Sequence, residues 1–169
     1  MSETIRVLIV DDHSLVRRGM RAVLGTAPDI DVVGEAATGR EAIAAAANLA
    51  PDVIVMDLQM PDLSGIEATR AILAEQPDVK ILVVTLFQDD NSVFLALRAG
   101  ARGFVLKDAD DDDLLGGIRA VAGGSAIFSP SVATRILTLF SDPRPAPVAV
   151  FPMLTDRERE ILERIAQGY

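Results

Sequence analysis

The sequence has no cysteine, no tryptophan, one tyrosine (Tyr169) and one histidine (His13). Without cysteine there is no disulfide and no thiolate nucleophile, which fits a reducing, cytoplasmic setting. A single histidine excludes a cluster of histidines around a metal. With so few large aromatics, a stacking platform for bases has little to be built from. No apolar run reaches the roughly 20 residues of a membrane-spanning helix, so no membrane association is expected. The opening residues, Met-Ser-Glu-Thr-Ile-Arg, do not read as a signal peptide. An excess of basic residues is also missing. Lys and Arg total 16 against 25 Asp and Glu, a formal net charge of −9. A nucleic-acid-gripping domain usually carries the opposite sign on one face.

What is present is a regular alternation. Half of the 169 residues are apolar, enough for one packed domain plus further elements. Five short runs rich in Val, Ile and Leu read as strands: Ile5–Val10, Val32–Val33, Val53–Met56, Ile81–Val84 and Gly103–Leu106. Between them lie helical patterns. Leu15, Val16, Met20, Val23 and Leu24 are expected on one face, as are Val93, Phe94 and Leu97, and Leu114, Leu115, Ile118, Val121 and Ala122. Thr38…Glu41, Ser64…Glu67 and Thr155…Glu158 read as capping boxes. Pro28-Asp29-Ile30, Pro51-Asp52-Val53 and Pro77-Asp78-Val79 mark strand entries, where proline stops what precedes. Alternation through about residue 123 predicts an α/β fold: a doubly wound, five-stranded parallel sheet, for which the flavodoxin-like order 2-1-3-4-5 is suited. Beyond Gly123-Gly124, a helix is expected near 130–140, opened by Ser129-Pro130 and carrying Ala133, Ile136, Leu137 and Phe140. A stretch with three prolines, Ser141–Pro147, then reads as a linker. The expected organisation is therefore a domain over 1–123, a linker over 124–152 and a separate helical segment over 153–169, with an apolar stripe of Ile161, Leu162, Ile165 and Ala166.

In a doubly wound sheet, ligands sit at the carboxyl ends of the strands. Those ends carry Asp11-Asp12 (first strand), Asp57 (third), Thr85 (fourth) and Lys107 (fifth). Three carboxylates brought together repel one another, and a bound cation relieves the repulsion. Oxygen ligands point to a hard ion, and a few carboxylates with water and phosphate oxygens suit Mg²⁺. Asp57 is the natural nucleophile toward a phosphoryl group, with Mg²⁺ and Lys107 neutralising the incoming charge and Thr85 donating to a phosphoryl oxygen.

These motifs carry a resemblance. Val10-Asp-Asp-His13, Asp57-Leu-Gln-Met-Pro61 followed by Gly65, Thr85, and Gly103-Phe-Val-Leu-Lys107 resemble the receiver domain of bacterial response regulators over roughly residues 4–123. The wording of the first and last motifs, with Leu154-Thr-Asp-Arg-Glu-Arg-Glu-Ile-Leu162, is similar to the NarL/FixJ subfamily, whose members pair a receiver with a LuxR-type helix-turn-helix domain. The resemblance implies that Asp57 is the phospho-acceptor, that Asp12 and Asp57 ligate Mg²⁺, and that Asp11 acts mainly through a bound water. It implies a further metal ligand in the backbone carbonyl of Gln59, contact of Lys107 with the phosphoryl group, and a switch formed by Thr85 with Phe104. The implied partners are a sensor histidine kinase, a second copy of the chain after phosphorylation, and promoter DNA. Because the sequence stops after the first helix of the LuxR-type segment, DNA binding is expected of a longer parent rather than of this chain.

Two other readings compete. An aspartate-nucleophile phosphohydrolase has a similar α/β core, but it resembles a pattern with a second Asp two residues after a nucleophile on the first strand. Here that position holds Gln59 and the acceptor follows the third strand, so at most slow self-catalysed phosphorylation and dephosphorylation are expected. A stand-alone receiver or phosphorelay module is the second alternative. Taken singly, the site residues have plainer readings: a strand-end turn for Asp11-Asp12, a loop aspartate for Asp57, a solvated lysine for Lys107, a core ring for Phe104. His13 reads as a surface or helix-entry residue. Asp110–Asp113 read as the acidic start of a helix, favoured by its dipole. Gly34…Gly39 has P-loop spacing, but Arg40-Glu41 stands where Lys-Ser/Thr is needed.

Overall fold

The computed structural model describes residues 3–86 and 89–141 and four further positions, 158, 161, 164 and 165. Of the Leu154–Leu162 motif only Glu158 and Ile161 are described, so the expected Thr155 capping box lies outside the described residues, as does the proline-rich stretch beyond Ser141.

Six strands, β1 (Ile5–Val10), β2 (Ile30–Ala36), β3 (Val53–Met56), β4 (Lys80–Thr85), β5 (Gly103–Leu106) and β6 (Ile127–Phe128), alternate with helices. The helices are α1 (Ser14–Leu24), α2 (Gly39–Leu49), α3 (Gly65–Glu75), α4 (Asp90–Ala99), α5 (Asp111–Ala122) and α6 (Pro130–Ser141). All strand pairs are parallel, in the order β2-β1-β3-β4-β5-β6. The expected order is thus realised and extended by one strand. Five strands is corrected to six, because Ile127–Phe128 joins the edge of β5.

The period-2 geometry of a strand explains how these runs fill two cores at once. Leu8, Val10, Ile54, Met56, Ile81, Val83 and Phe104 point to one face, where Ala42, Ala46, Ala68, Ile72, Val93, Ala96 and Val132 cover them. Val7, Ile9, Val53, Val55, Leu82, Val84 and Val105 point to the other, against Met20, Leu24, Leu115, Ile118 and Val121. Both faces of the central strands are dry, and that is why no polar alternation shows in their sequence. Leu15 is a correction: it is 78% exposed rather than on the buried face. Val16, Met20, Val23 and Leu24 follow the i, i+4, i+7, i+8 stripe, and Leu15 falls one residue, about 100°, off it.

Local chemistry sets the element ends. Glu41 N–H donates to Thr38 Oγ1 at 3.1 Å while the Glu41 carboxylate accepts from Ala37 N–H at 2.8 Å, so the box closes on the residue before the N-cap at the start of α2. Ser64 caps α3 through Glu67 N–H at 3.2 Å. Asp110 is the N-cap of α5, with Asp111–Asp113 in its first turn. The Pro-Asp strand entries also tie strands together: Asp52 accepts Arg6 N–H at 2.9 Å, and Asp29 binds Arg119 in a two-pronged contact at 2.8 and 2.9 Å. The second contact joins the entry of β2 to α5. Among the described residues no helix is long and apolar enough to cross a membrane.

Candidate functional site

The acidic rim follows from register. β1 and β3 are neighbours with Val10 opposite Met56, so the next residues, Asp11 and Asp57, emerge side by side. Asp57 N–H donates to Val10 O at 2.9 Å and Asp11 N–H to Ala36 O at 3.1 Å, which fixes both backbones to the sheet. β5 ends opposite Thr85, and Lys107 N–H donates to Thr85 O at 3.0 Å. The lysine side chain therefore enters from the neighbouring strand ends. Its Nζ lies 2.6 Å from Asp11 Oδ2 and 3.4 Å from Asp57 Oδ2.

These groups are largely withdrawn from water. Asp11, Asp57 and Thr85 are buried, and only a tenth of the Lys107 side chain is exposed. Burial raises the pKa of Asp57, and the Asp11 charge adds to the effect; Lys107 and the Gln59 backbone N–H oppose them without cancelling the rise. Burial pulls Lys107 down, but the hydrogen bond it donates to Asp11 and the charges of Asp57 and Asp11 outweigh it and leave its pKa raised. One ammonium thus serves two buried carboxylates, and the site holds more negative charge than it balances internally.

The loop after β3 is held close. Gly65 N–H donates to Leu58 O at 2.9 Å. A Cβ at Gly65 would stand 2.1 Å from the Asp57 carbonyl oxygen, so only glycine lets α3 start against the Asp57 backbone. Phe104 is 1% exposed and packs on β5 among Val83, Val93 and Val132, on the same sheet face as the helices α3, α4 and α6. The sequence-predicted residues Asp11, Asp12, Asp57, Thr85 and Lys107 therefore share one rim, with Gln59 in the adjoining loop and Phe104 deeper in the sheet, opposite Val83, two positions before Thr85.

Two residues play a larger part at the rim than their positions in the sequence suggest. Arg17 donates from Nη1 to Asp11 O at 2.7 Å and lies 3.6 Å from Glu35, bracing the β1 end. Its place on α1 gave no sign of this. His13 is the N-cap of α1, as a helix-entry residue should be, but its ring makes no cap hydrogen bond. Instead Nδ1 stands 3.0 Å from Asp12 Oδ1 and 3.3 Å from Asp11 Oδ1. Ligand atoms of Asp11, Asp12, His13 and Asp57 all lie within 4.8 Å of one another, close enough to hold one ion. Asp12 Oδ1 is withdrawn from water and, although the His13 ring is close, receives no well-formed hydrogen bond, which suits a group that a cation completes.

A doubly wound parallel sheet with paired acids after β1, a buried aspartate after β3 and a lysine after β5 defines a signal-receiver class of α/β domain. Residues 7–119 match the response regulator receiver domain, and the chain belongs to that family, as a response regulator of the NarL/FixJ type. It is 43% identical over 166 residues to the response regulator protein VraR of Staphylococcus aureus, covering 98% of this chain and 78% of VraR. A LuxR-family two-component response regulator from Aurantimonas sp. SI85-9A1 superposes with a TM-score of 0.78 at 37% identity, over 83% of this chain and all of that one. The receiver domain of the putative response regulator NarL from Mycobacterium tuberculosis gives 0.70 at 31% identity, over 73% and 99% respectively.

Proposed function

We propose that Asp57 accepts a phosphoryl group from a sensor histidine kinase. The observation that carries this is the convergence of a buried, raised-pKa aspartate with Asp11, Asp12 and Lys107 on one rim. A carboxylate oxygen of Asp57 attacks phosphorus, the P–N bond to the kinase histidine breaks, and an acyl phosphate remains on Asp57. Lys107 is placed to move its ammonium from Asp11 and Asp57 toward the incoming phosphoryl oxygens, and Thr85 has its hydroxyl at the adjacent strand end. Mg²⁺ fits the donor set: Asp12 and Asp57 would hold it with the Gln59 carbonyl, and Asp11 through water. When bound it would offset the charge that Lys107 alone leaves unbalanced. The same geometry allows slow self-catalysed phosphorylation and dephosphorylation, without the second aspartate of a phosphohydrolase.

The domain of 1–123 acts as the switch, and the linker and the segment from 153 onward serve a transcriptional output. Support comes from the likeness of Leu154–Leu162 to the LuxR-type helix and from the LuxR-family relative. Acetyl phosphate with Mg²⁺ tests the acceptor. Intact mass should show one phosphoryl adduct on the wild type and none on Asp57→Asn. An undiminished adduct on the variant moves the acceptor elsewhere.

A further inference from the structure

We propose that His13 gives this rim a second mode of metal binding, selective for a borderline divalent cation of the Zn²⁺ class, that competes with Mg²⁺. The inference rests on the phospho-acceptor reading only in placing Mg²⁺ at the same carboxylates. Three observations carry it. First, the ring is not engaged in capping α1, although it stands at the N-cap. Second, Nδ1 is turned inward over the acid pair, 3.0 Å from Asp12 Oδ1 and 3.3 Å from Asp11 Oδ1. Two ligands each about 2.1 Å from one ion stand roughly 3.0 Å apart at a right angle and roughly 3.4 Å apart at the tetrahedral angle. The His13 distances match the edge of such a shell. Third, Asp12 Oδ1 is withdrawn from water and receives no well-formed hydrogen bond even though the His13 ring stands 3.0 Å away, and the Asp11 side chain is wholly buried beside it. About two-thirds of the His13 side chain is exposed to solvent, which leaves a path for an ion to enter.

Ligand chemistry then decides which ion gains. Mg²⁺ takes oxygen ligands and keeps water, so a neighbouring imidazole adds little to its binding. Zn²⁺, Ni²⁺ and Cu²⁺ take imidazole nitrogen readily. With Asp12 and Asp57 as shared ligands, the two classes of ion exclude each other. An ion fixed through His13 would hold the Asp57 carboxylate and oppose its phosphorylation. The plain alternative is that His13 only hydrogen-bonds the acid pair, and it gives a different result in the test below.

The composition makes that test clean, because the chain has one histidine and no cysteine. Any nitrogen-dependent Zn²⁺ site must therefore be His13. Titrate the full 169-residue chain with Zn²⁺ against a chromophoric chelator, follow the imidazole C–H resonances by NMR, and repeat with Mg²⁺ present. Use His13→Ala and, to keep an N-cap-competent side chain, His13→Asn. The expected result is one Zn²⁺ per chain, displaced by excess Mg²⁺, with the ring resonances shifted. Both variants should weaken Zn²⁺ at least tenfold and Mg²⁺ much less. Unmoved ring resonances, or Zn²⁺ affinity unchanged in both variants, overturn the proposal and leave a hydrogen-bonded histidine. The phosphoryl adduct formed with Mg²⁺ and acetyl phosphate is read separately, so failure of the Zn²⁺ site and failure of Asp57 as acceptor are distinguishable.

Discussion

Asp57 illustrates a conflict between function and stability within one residue. Its carboxylate is buried beside Asp11, and its pKa is raised, so the folded protein binds that proton more tightly than the unfolded chain does. By linkage, the metal-free protein loses stability as pH rises from the ordinary carboxylate range through the raised value. Asn has the same shape and no charge. Asp57→Asn should therefore melt a few degrees above wild type at neutral pH without metal, a gain on the order of 1 kcal/mol, and should lack that pH slope. Thermal melts followed by circular dichroism read this directly. Metal should act in the opposite direction. Mg²⁺ binds the folded site and should raise the wild-type melting point, while Asp12→Ala should lose most of that gain. An equal rise in both places the ion elsewhere. Most of this site was legible because each residue occupies a strand end, where chain position alone dictates direction. His13 was not, since a helix-entry histidine has the same sequence signature whether its ring faces water or carboxylates. Arg17 was hidden for a similar reason: its bond to the Asp11 carbonyl depends on how α1 lies across β1.

Among the elements, legibility tracked burial. β1, β3 and β5 have the bounds that their apolar runs suggest, because both faces of each are packed. β2 reaches well past Val32–Val33, to Ile30–Ala36, because it is an edge strand whose Asp31 and Glu35 interrupt the apolar run. β6 has only two residues, too short for any periodicity, and it exists through pairing with β5. That pairing depends on Gly103. A Cβ there would lie 2.6 Å from Ile127 O and 2.7 Å from the Ile127 side chain. Gly103→Ala should push β6 off the sheet. Hydrogen exchange should then lose protection at Ile127 N–H, which donates to Arg102 O at 3.1 Å, while amides of β1 and β3 stay protected. Unchanged protection at Ile127 would mean that the strand adapts around the added methyl. α6 follows directly from β6 and buries Val132, with Ile136 packed against the same core as Phe104. The edge of the sheet and the helix near 130–140 are therefore one unit, a relation that no local pattern announces.

For the molecule as a whole, the account requires that a local charge change reaches a distant surface. Phosphorylation adds negative charge and acceptor oxygens at Asp57. Thr85, on the adjacent strand end, would turn its hydroxyl toward them and vacate space near β5. Phe104 is packed in the core, and its strand also borders a half-open pocket of about 460 Å³ with Leu106, Phe128 and Pro130, so a change in the ring's packing would be felt at α6. A phosphoryl group shifts such an equilibrium only by binding one arrangement better than the other. With beryllofluoride in place of the phosphoryl group, amide shifts should spread through residues 85–107 and into 127–137 in wild type, and be much weaker in Thr85→Ala. A full set of distal shifts in Thr85→Ala removes Thr85 from the coupling. All of this stands on Asp57 being the group that takes the phosphoryl. The most direct measurement is to phosphorylate the chain, reduce the acyl phosphate with borohydride, and locate the modified residue by peptide mass spectrometry. The account predicts homoserine at position 57, dependent on Mg²⁺. Reduction at Asp11 or Asp12 instead, or at no aspartate of the rim, would contradict it.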